Sequence, residues 1–253
     1  MEQPHKGTLR VLGALEAVAA APDGLTLGAL SQALSSPKST LSPILHTLCS
    51  ERWLVLRDGR YRLGERAFET GQRYLDGFDI LEAVRETMHS LVDVGGETCH
   101  FGVLSGGDVL YLHKEDSPEP IRMFSSIGRR LPAYSTGIGK ALLCDCNLPA
   151  LRRLYPDGLR PLTAYTVTDF EELAAQLAKA RAEGAAYESE ESNLHIRCVA
   201  VPLRRGGRIA AALSIAIPTF RCTEEKLALS RTLLFGARDK LERLLAGAAF
   251  RLA

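Results

Sequence analysis

Five polar side chains fall within nine residues near the amino terminus, and their types suit contact with nucleic acid. They are Lys38, Ser39, Thr40, Ser42 and His46. On the exposed face of a helix in the major groove, ammonium, hydroxyl and imidazole groups reach base edges and phosphates. The alternative is an ordinary helical hairpin with a solvated polar face.

Three arginines surround a predicted hairpin turn just downstream. They are Arg57, Arg60 and Arg62, and the turn is Asp58-Gly59, a pair that favours a tight primed turn. Arginines on such a wing suit phosphate or minor-groove contact. The hairpin therefore strengthens the prediction of DNA binding.

Gly137-Ile138-Gly139-Lys140 resembles the end of a phosphate loop, but the rest of that motif is missing. A Walker A sequence has glycine six residues before the lysine and Ser or Thr after it, whereas Tyr134 and Ala141 occupy those positions. Free amides at a helix start would instead attract an anion. The alternative is a tight junction between a loop and a helix.

Glu188, Glu190 and Glu191 form a carboxylate cluster that could serve acid–base chemistry or bind a metal. No histidine at metal-ligand spacing accompanies the cluster, and a solvated strand end is the alternative. The spacing of His195 and Cys198 supports no nucleophile–base pair. No CxxC pair is present, so the six cysteines are expected to be free thiols. We expect no catalytic residues, no metal and no cofactor.

The local pattern around the first polar cluster predicts three short helices and a hairpin. Apolar residues recur at helical spacing over 9–18, Thr26 is a suitable N-cap for a second helix, and a third helix follows Ser36. Strands over 53–56 and 60–63 flank the turn. This is the outline of a winged helix-turn-helix.

Pro43 interrupts the predicted reading helix. Proline inside a helix removes one hydrogen bond, here to the Ser39 carbonyl. Either the helix begins at Pro37 and kinks, or it begins at Pro43. We expect the kink, because Leu41 then stays in register with Leu45 and Leu48.

The remaining chain mixes antiparallel hairpins with separate helices, which favours an α+β fold. Strands are predicted over 99–104, 109–113, 121–124, 185–188, 198–204 and 208–217. Helices are predicted over 65–92, 136–143, 169–182 and 223–245. The apolar stripe of Ile80, Leu81, Val84 and Met88 is expected to need a partner, although it could pack on its own domain.

The composition is that of an ordinary globular chain. The protein has 253 residues and a formal net charge of +1, while residues 1–64 carry +2. No apolar run is long enough to span a bilayer, and no signal peptide precedes the first helix. We therefore expect a cytoplasmic protein whose basic surface is local to the amino-terminal segment.

Several segments together resemble the IclR (isocitrate lyase regulator) family of transcription factors. In the first domain they are Ser36-Pro37-Lys38-Ser39-Thr40 and Tyr61-Arg62-Leu63-Gly64. In the second they are Gly128-Arg129-Arg130-Leu131-Pro132, Thr136–Ala141, Arg197–Pro202 and Ala211–Ile215. These signatures follow the family's order over nearly the whole chain.

The resemblance implies a winged helix-turn-helix domain over 1–64, a linker helix over 65–78 and a GAF-like α+β effector-binding domain over 79–253. It implies a homodimer or dimer of dimers that binds operator DNA and a small organic acid. DNA contacts are expected from Thr26, Lys38, Ser39, Thr40, Ser42, His46, Arg57 and Arg60. Effector contacts are expected from Gly137, Ile138, Glu188, Ile196, Cys198, Ser214 and Ala216.

This sequence departs from the family pattern at three positions. Ala216 stands where some members carry serine, Glu188 where aspartate is common, and Pro43 where a DNA-contacting arginine is frequent. The leading hypothesis is an effector-responsive regulator of a catabolic operon, by repression or activation. The alternatives are an enzyme that processes a small acid with Glu188 and Cys198, and a DNA-binding scaffold without an effector.

Overall fold

A computed structural model describes residues 4–75, 80–120 and 126–247. The chain divides into two compact units after Gly77. In the described part of the chain, no helix is both long and apolar enough to cross a membrane.

The amino-terminal unit has the predicted winged helix-turn-helix. Its elements are α1 (Lys6–Ala19), α2 (Leu27–Ala33), α3 (Lys38–Ser50), β1 (Leu54–Arg57), β2 (Arg60–Leu63) and α4 (Glu65–Leu75). The Thr26 hydroxyl accepts a hydrogen bond from the Ala29 amide at 3.2 Å, which confirms the predicted N-cap of α2. Asp58 and Gly59 both have positive φ, as the predicted primed turn requires.

The reading helix α3 passes through Pro43 without ending. It begins at Lys38, so the alternative in which it begins at Pro43 is wrong. Leu41, Leu45 and Leu48 are all buried on one face, which is the register that the continuous helix requires. The kink at Pro43 stays a prediction.

The second unit is built on one antiparallel sheet. Its described strands are β3 (Thr98–Ser105), β4 (Asp108–Glu115), β5 (Arg130–Pro132), β6 (Ala186–Ser189), β7 (Ile196–Arg205) and β8 (Arg208–Pro218). They lie in the order β5-β4-β3-β8-β7-β6. The described helices are α5 (Leu81–Gly95), α6 (Gly137–Leu143), α7 (Leu148–Leu154), α8 (Phe170–Glu183) and α9 (Glu224–Gly247). Helices α6 and α8 cover one face, and α5 and α9 the other. The predicted α+β class is correct.

Two short elements were not predicted, namely β5 and α7. Helix α7 does carry a local signal, because the Asn147 side chain caps the Ala150 amide at 3.0 Å and Pro149 lies in the first turn. The strand predicted over 121–124 and the last residues of the linker predicted over 65–78 lie outside the described residues.

The apolar stripe on α5 packs within its own unit. Ile80, Leu81, Val84 and Met88 are buried, and α5 contacts α9, β3 and β4. The expectation that this stripe needs a partner chain is wrong, because the sheet and α9 already cover it.

Candidate DNA-binding surface and effector cavity

The polar residues predicted to read DNA share the amino-terminal part of α3. Lys38, Ser39, Ser42 and His46 are exposed there, whereas Thr40 is half-buried. The Lys38 ammonium group lies beside the start of α2, since a Cβ built on Gly28 would be 3.8 Å from Lys38 Nζ. Thr26, also exposed, caps the same end of α2. The two helices therefore present one polar surface with a cation at its edge.

Two wing arginines hold the wing to the loop between α1 and α2. Arg60 donates to the Gly24 carbonyl at 3.1 Å, and Arg62 donates to the Asp23 carbonyl at 3.4 Å. Leu25 and Tyr61 also exchange backbone hydrogen bonds. Arg57 is exposed near the turn. Sequence reasoning missed that Arg60 orients the wing.

A small cavity of about 30 Å³ lies between the sheet and the start of α6. Of the predicted effector residues, it is lined by Gly137, Ile138, Cys198, Ser214 and Ala216. The lining residues that sequence reasoning did not identify are His100, Tyr111, Arg129, Leu131, Thr136, Ser192 and Asn193.

Two predicted effector residues do not line this cavity. Ile196 is half-buried at the start of β7 and pairs with Pro218. Glu188 pairs with Cys198 across β6 and β7, and both line a neighbouring cavity of about 290 Å³. The two cavities thus adjoin at Cys198.

The start of α6 offers two amides to the small cavity. The Thr136 hydroxyl accepts from the Gly139 amide at 3.0 Å. Within the described residues, the amides of Gly137 and Ile138 have no hydrogen-bond acceptor, as expected for the first positions of a helix. A bound anion could accept from both.

Packing, and not ligand approach, explains the two glycines of α6. A Cβ on Gly137 would lie 2.8 Å from Cys198 Cβ, so a side chain at this position would clash with Cys198. A Cβ on Gly139 would lie 2.1 Å from the Ala133 carbonyl oxygen. The loop before α6 therefore packs tightly against the start of the helix, as the alternative interpretation predicted.

The three clustered carboxylates separate into different environments. Glu190 accepts from the His195 amide at 2.8 Å, and Glu191 forms a buried ion pair with Lys140. Glu188 Oε1 accepts from the amides of Glu191 at 2.5 Å and Ser192 at 3.1 Å. In the part of the chain that is described, no three such side chains form a metal site.

Burial favours the neutral forms of the ionisable side chains around the two cavities. It raises the pKa of Glu188 to about 7, although the two amides that donate to this carboxyl oppose the shift. Glu188 Oε2 is buried and has no hydrogen-bond partner among the described residues. Burial also lowers the pKa of His100 to about 3, so this imidazole is neutral at physiological pH. Arg129 contributes a cationic side chain to the lining.

Comparisons with known proteins agree over both units. A family model described as the IclR helix-turn-helix domain matches residues 7–58, and one described as bacterial transcriptional regulator IclR C-terminal matches residues 72–241. The regulator KdgR of Escherichia coli is 35% identical over 92% of this chain and 90% of its own.

Solved structures share the fold. An IclR-type regulator from Alicyclobacillus acidocaldarius has a TM-score of 0.83 at 22% identity, covering 96% of this chain and 100% of that one. An IclR homologue from Microbacterium hydrocarbonoxydans, solved with 4-hydroxybenzoate, has a TM-score of 0.82 at 23% identity, covering 94% and 100%.

Proposed function

The chain belongs to the IclR family of DNA-binding transcriptional regulators, and on that premise we propose that it controls a catabolic operon in response to a small organic acid. The observation that carries the proposal is the cavity at the start of α6. Two amides without acceptors, the Ser214 hydroxyl and Arg129 border it, and these groups suit an anion. The related structure that holds 4-hydroxybenzoate supports the same ligand class.

The polar groups favour an acid that also carries a hydroxyl or keto oxygen. The carboxylate accepts from the amides of Gly137 and Ile138, while Ser214 donates to or accepts from the second oxygen. Glu188 lines the neighbouring cavity, so it contributes only to an acid that extends past Cys198. It does so if its buried Oε2 accepts from a ligand hydroxyl, or if the carboxyl is protonated. We favour the hydroxyl contact.

A thermal-shift screen of keto, hydroxy and aromatic acids tests the ligand class. An acid at 100 times its Kd should stabilise the effector domain by about 2.7 kcal/mol. Glu188→Gln should weaken the binding of hydroxylated acids more than the binding of their deoxy analogues. Glu224→Gln, at an exposed residue, should weaken the binding of neither. If only uncharged or cationic metabolites shift the melting temperature, the assignment of the ligand class is wrong.

Binding to operator DNA should depend on the exposed end of α3. Lys38→Ala should weaken binding and reduce the magnitude of the salt slope by about 0.9, because one phosphate contact is lost. Lys179→Ala removes an exposed lysine from the other unit and is the matched control. A gel-shift titration in which both variants equal the parent protein would contradict the assignment of Lys38.

We propose that dimerisation uses the amino-terminal unit. Helix α4 has no buried residue and exposes Phe68 at 70%, while α1 exposes Leu9 and Leu12 at about half of their area. Paired operator half-sites require two reading helices, and a second copy would cover these side chains.

Light scattering at micromolar concentration should give at least the dimer mass. Phe68→Asp should shift the protein towards monomer, because a charge would replace an apolar contact. Phe220→Asp, at an aromatic residue equally exposed in the effector unit, should leave the mass unchanged. A monomeric parent protein would end the dimer proposal.

A further inference from the structure

The loop between β6 and β7 forms one side of the small cavity. Ser192 and Asn193 from this loop line it. At about 30 Å³, the cavity accommodates one or two water molecules but no organic acid. An effector can enter only if part of the lining moves.

One end of this loop is firmly anchored. Glu191 forms the buried ion pair with Lys140, and its carbonyl accepts from the Thr166 hydroxyl at 2.6 Å. Thr163 donates to the Glu190 carbonyl at 2.6 Å. Glu190 and Glu191 are therefore held in place by these contacts.

Three backbone groups attach the rest of the loop. The Ser192 amide donates to Glu188 Oε1 at 3.1 Å, the His195 amide donates to Glu190 Oε1 at 2.8 Å, and the His195 carbonyl accepts from the Thr219 amide at 2.8 Å. Asn193 and Leu194 are exposed, and Leu194 keeps 52% of its area in solvent. His195 has φ +64°, a backbone conformation that non-glycine residues rarely adopt.

We propose that Ser192–His195 is a flap that opens locally to admit the effector and closes over it, with Asn193 as a specificity contact from the flap side. This inference rests on the effector site proposed above. The hydrogen bond from the His195 amide to Glu190 is one fastening of the flap, and the bond from the Ser192 amide to Glu188 is the second. The bond from the Thr219 amide to the His195 carbonyl, at 2.8 Å, is the third. The second fastening uses the carboxyl that we expect to contact the ligand, so effector binding and flap position are coupled.

Cys198 lines both the cavity beneath the flap and the neighbouring larger cavity. The change in its labelling rate relative to the parent protein, and not the rate itself, is therefore the ligand-free probe of flap opening. Cys99 is fully buried on β3, next to His100, and its side chain points to the opposite face of the sheet. Alkylation of Cys99 therefore reports global unfolding. Burial raises the pKa of both thiols.

The test is peptide-resolved alkylation of the full-length protein by iodoacetamide. Glu190→Ala removes the acceptor for the His195 amide, and Glu190→Gln keeps an oxygen there as the matched control. We expect Glu190→Ala to speed Cys198 labelling about tenfold, with Cys99 unchanged, because an ionic hydrogen bond to the flap is lost.

Two results would overturn the flap. One is equal acceleration of Cys198 and Cys99 in Glu190→Ala, which would mean that the fold opens as a whole. The other is no change at Cys198 in that variant. Neither result requires an effector, so the two proposals can fail separately. If no acid shifts the melting temperature but Cys198 labelling is accelerated in Glu190→Ala, the proposed ligand class is wrong and the flap proposal is supported.

Discussion

Replacing Lys140 with methionine should destabilise the effector-binding unit by about 3–5 kcal/mol, because the buried carboxylate of Glu191 loses the cation with which it is paired. The Lys140 side chain is 2% exposed, pairs with Glu191, and donates to Gln176 Oε1 at 2.6 Å. Urea denaturation followed by far-UV circular dichroism would measure the loss. Trp53 is the one tryptophan, so its fluorescence reports the other unit and should be unaffected.

Two variants control this experiment. Lys179→Met changes a lysine whose side chain is 72% exposed, and it should cost less than about 0.5 kcal/mol. Lys140→Met combined with Glu191→Leu removes both charges and should recover part of the stability. If Lys140→Met alone is as stable as the parent protein, the buried ion pair does not anchor the loop.

The stability of the effector-binding unit should fall between pH 5 and pH 7 because of Glu188. Burial raises the pKa of this carboxyl from 4.5 to about 7 in the folded state. The folded state therefore holds a proton that the unfolded chain releases. The stabilisation is complete below about pH 4.5 and is lost as the pH rises through 7. The total effect is roughly 3 kcal/mol.

Glu188→Gln should remove this pH dependence. The variant keeps an oxygen that accepts from the amides of Glu191 and Ser192, so at pH 8 it should exceed the parent protein in stability. At pH 4 the two should be equal. Urea titrations across pH 4–8 would measure the free energy of unfolding of the parent protein and of Glu188→Gln. Glu224→Gln, at an exposed residue, is the control. Parallel curves for parent and Glu188→Gln would contradict a buried carboxyl with a raised pKa.

Local signals predicted the amino-terminal unit well. The N-cap at Thr26, the primed turn at Asp58-Gly59 and the apolar face of α3 depend on residues close in sequence. The same is true of the described strands and helices of the second unit, except β5 and α7. Periodicity also located the apolar stripe on α5, but it cannot say which surface covers a stripe.

The effector cavity was only partly predictable, since it is assembled across strands. His100 and Tyr111 lie on predicted strands, but their orientation towards α6 depends on sheet pairing and a bulge between Phe101 and Gly102. Lys140 looked like part of an anion-binding loop, whereas its partners lie 36 and 51 residues away. Distant partners such as Gln176 and Glu191 leave no local signal in the sequence.

We propose that one small acid changes the affinity of this protein for one DNA site. The most direct measurement is fluorescence anisotropy with a labelled promoter fragment from beside its own gene, with and without the acid that raises the melting temperature. We predict specific binding whose Kd changes at least about fivefold with the acid. Glu188→Gln should reduce the response to a hydroxylated acid, and Lys38→Ala should weaken DNA binding while leaving acid binding intact. Specific DNA binding with a Kd that the bound acid leaves unchanged would contradict the account.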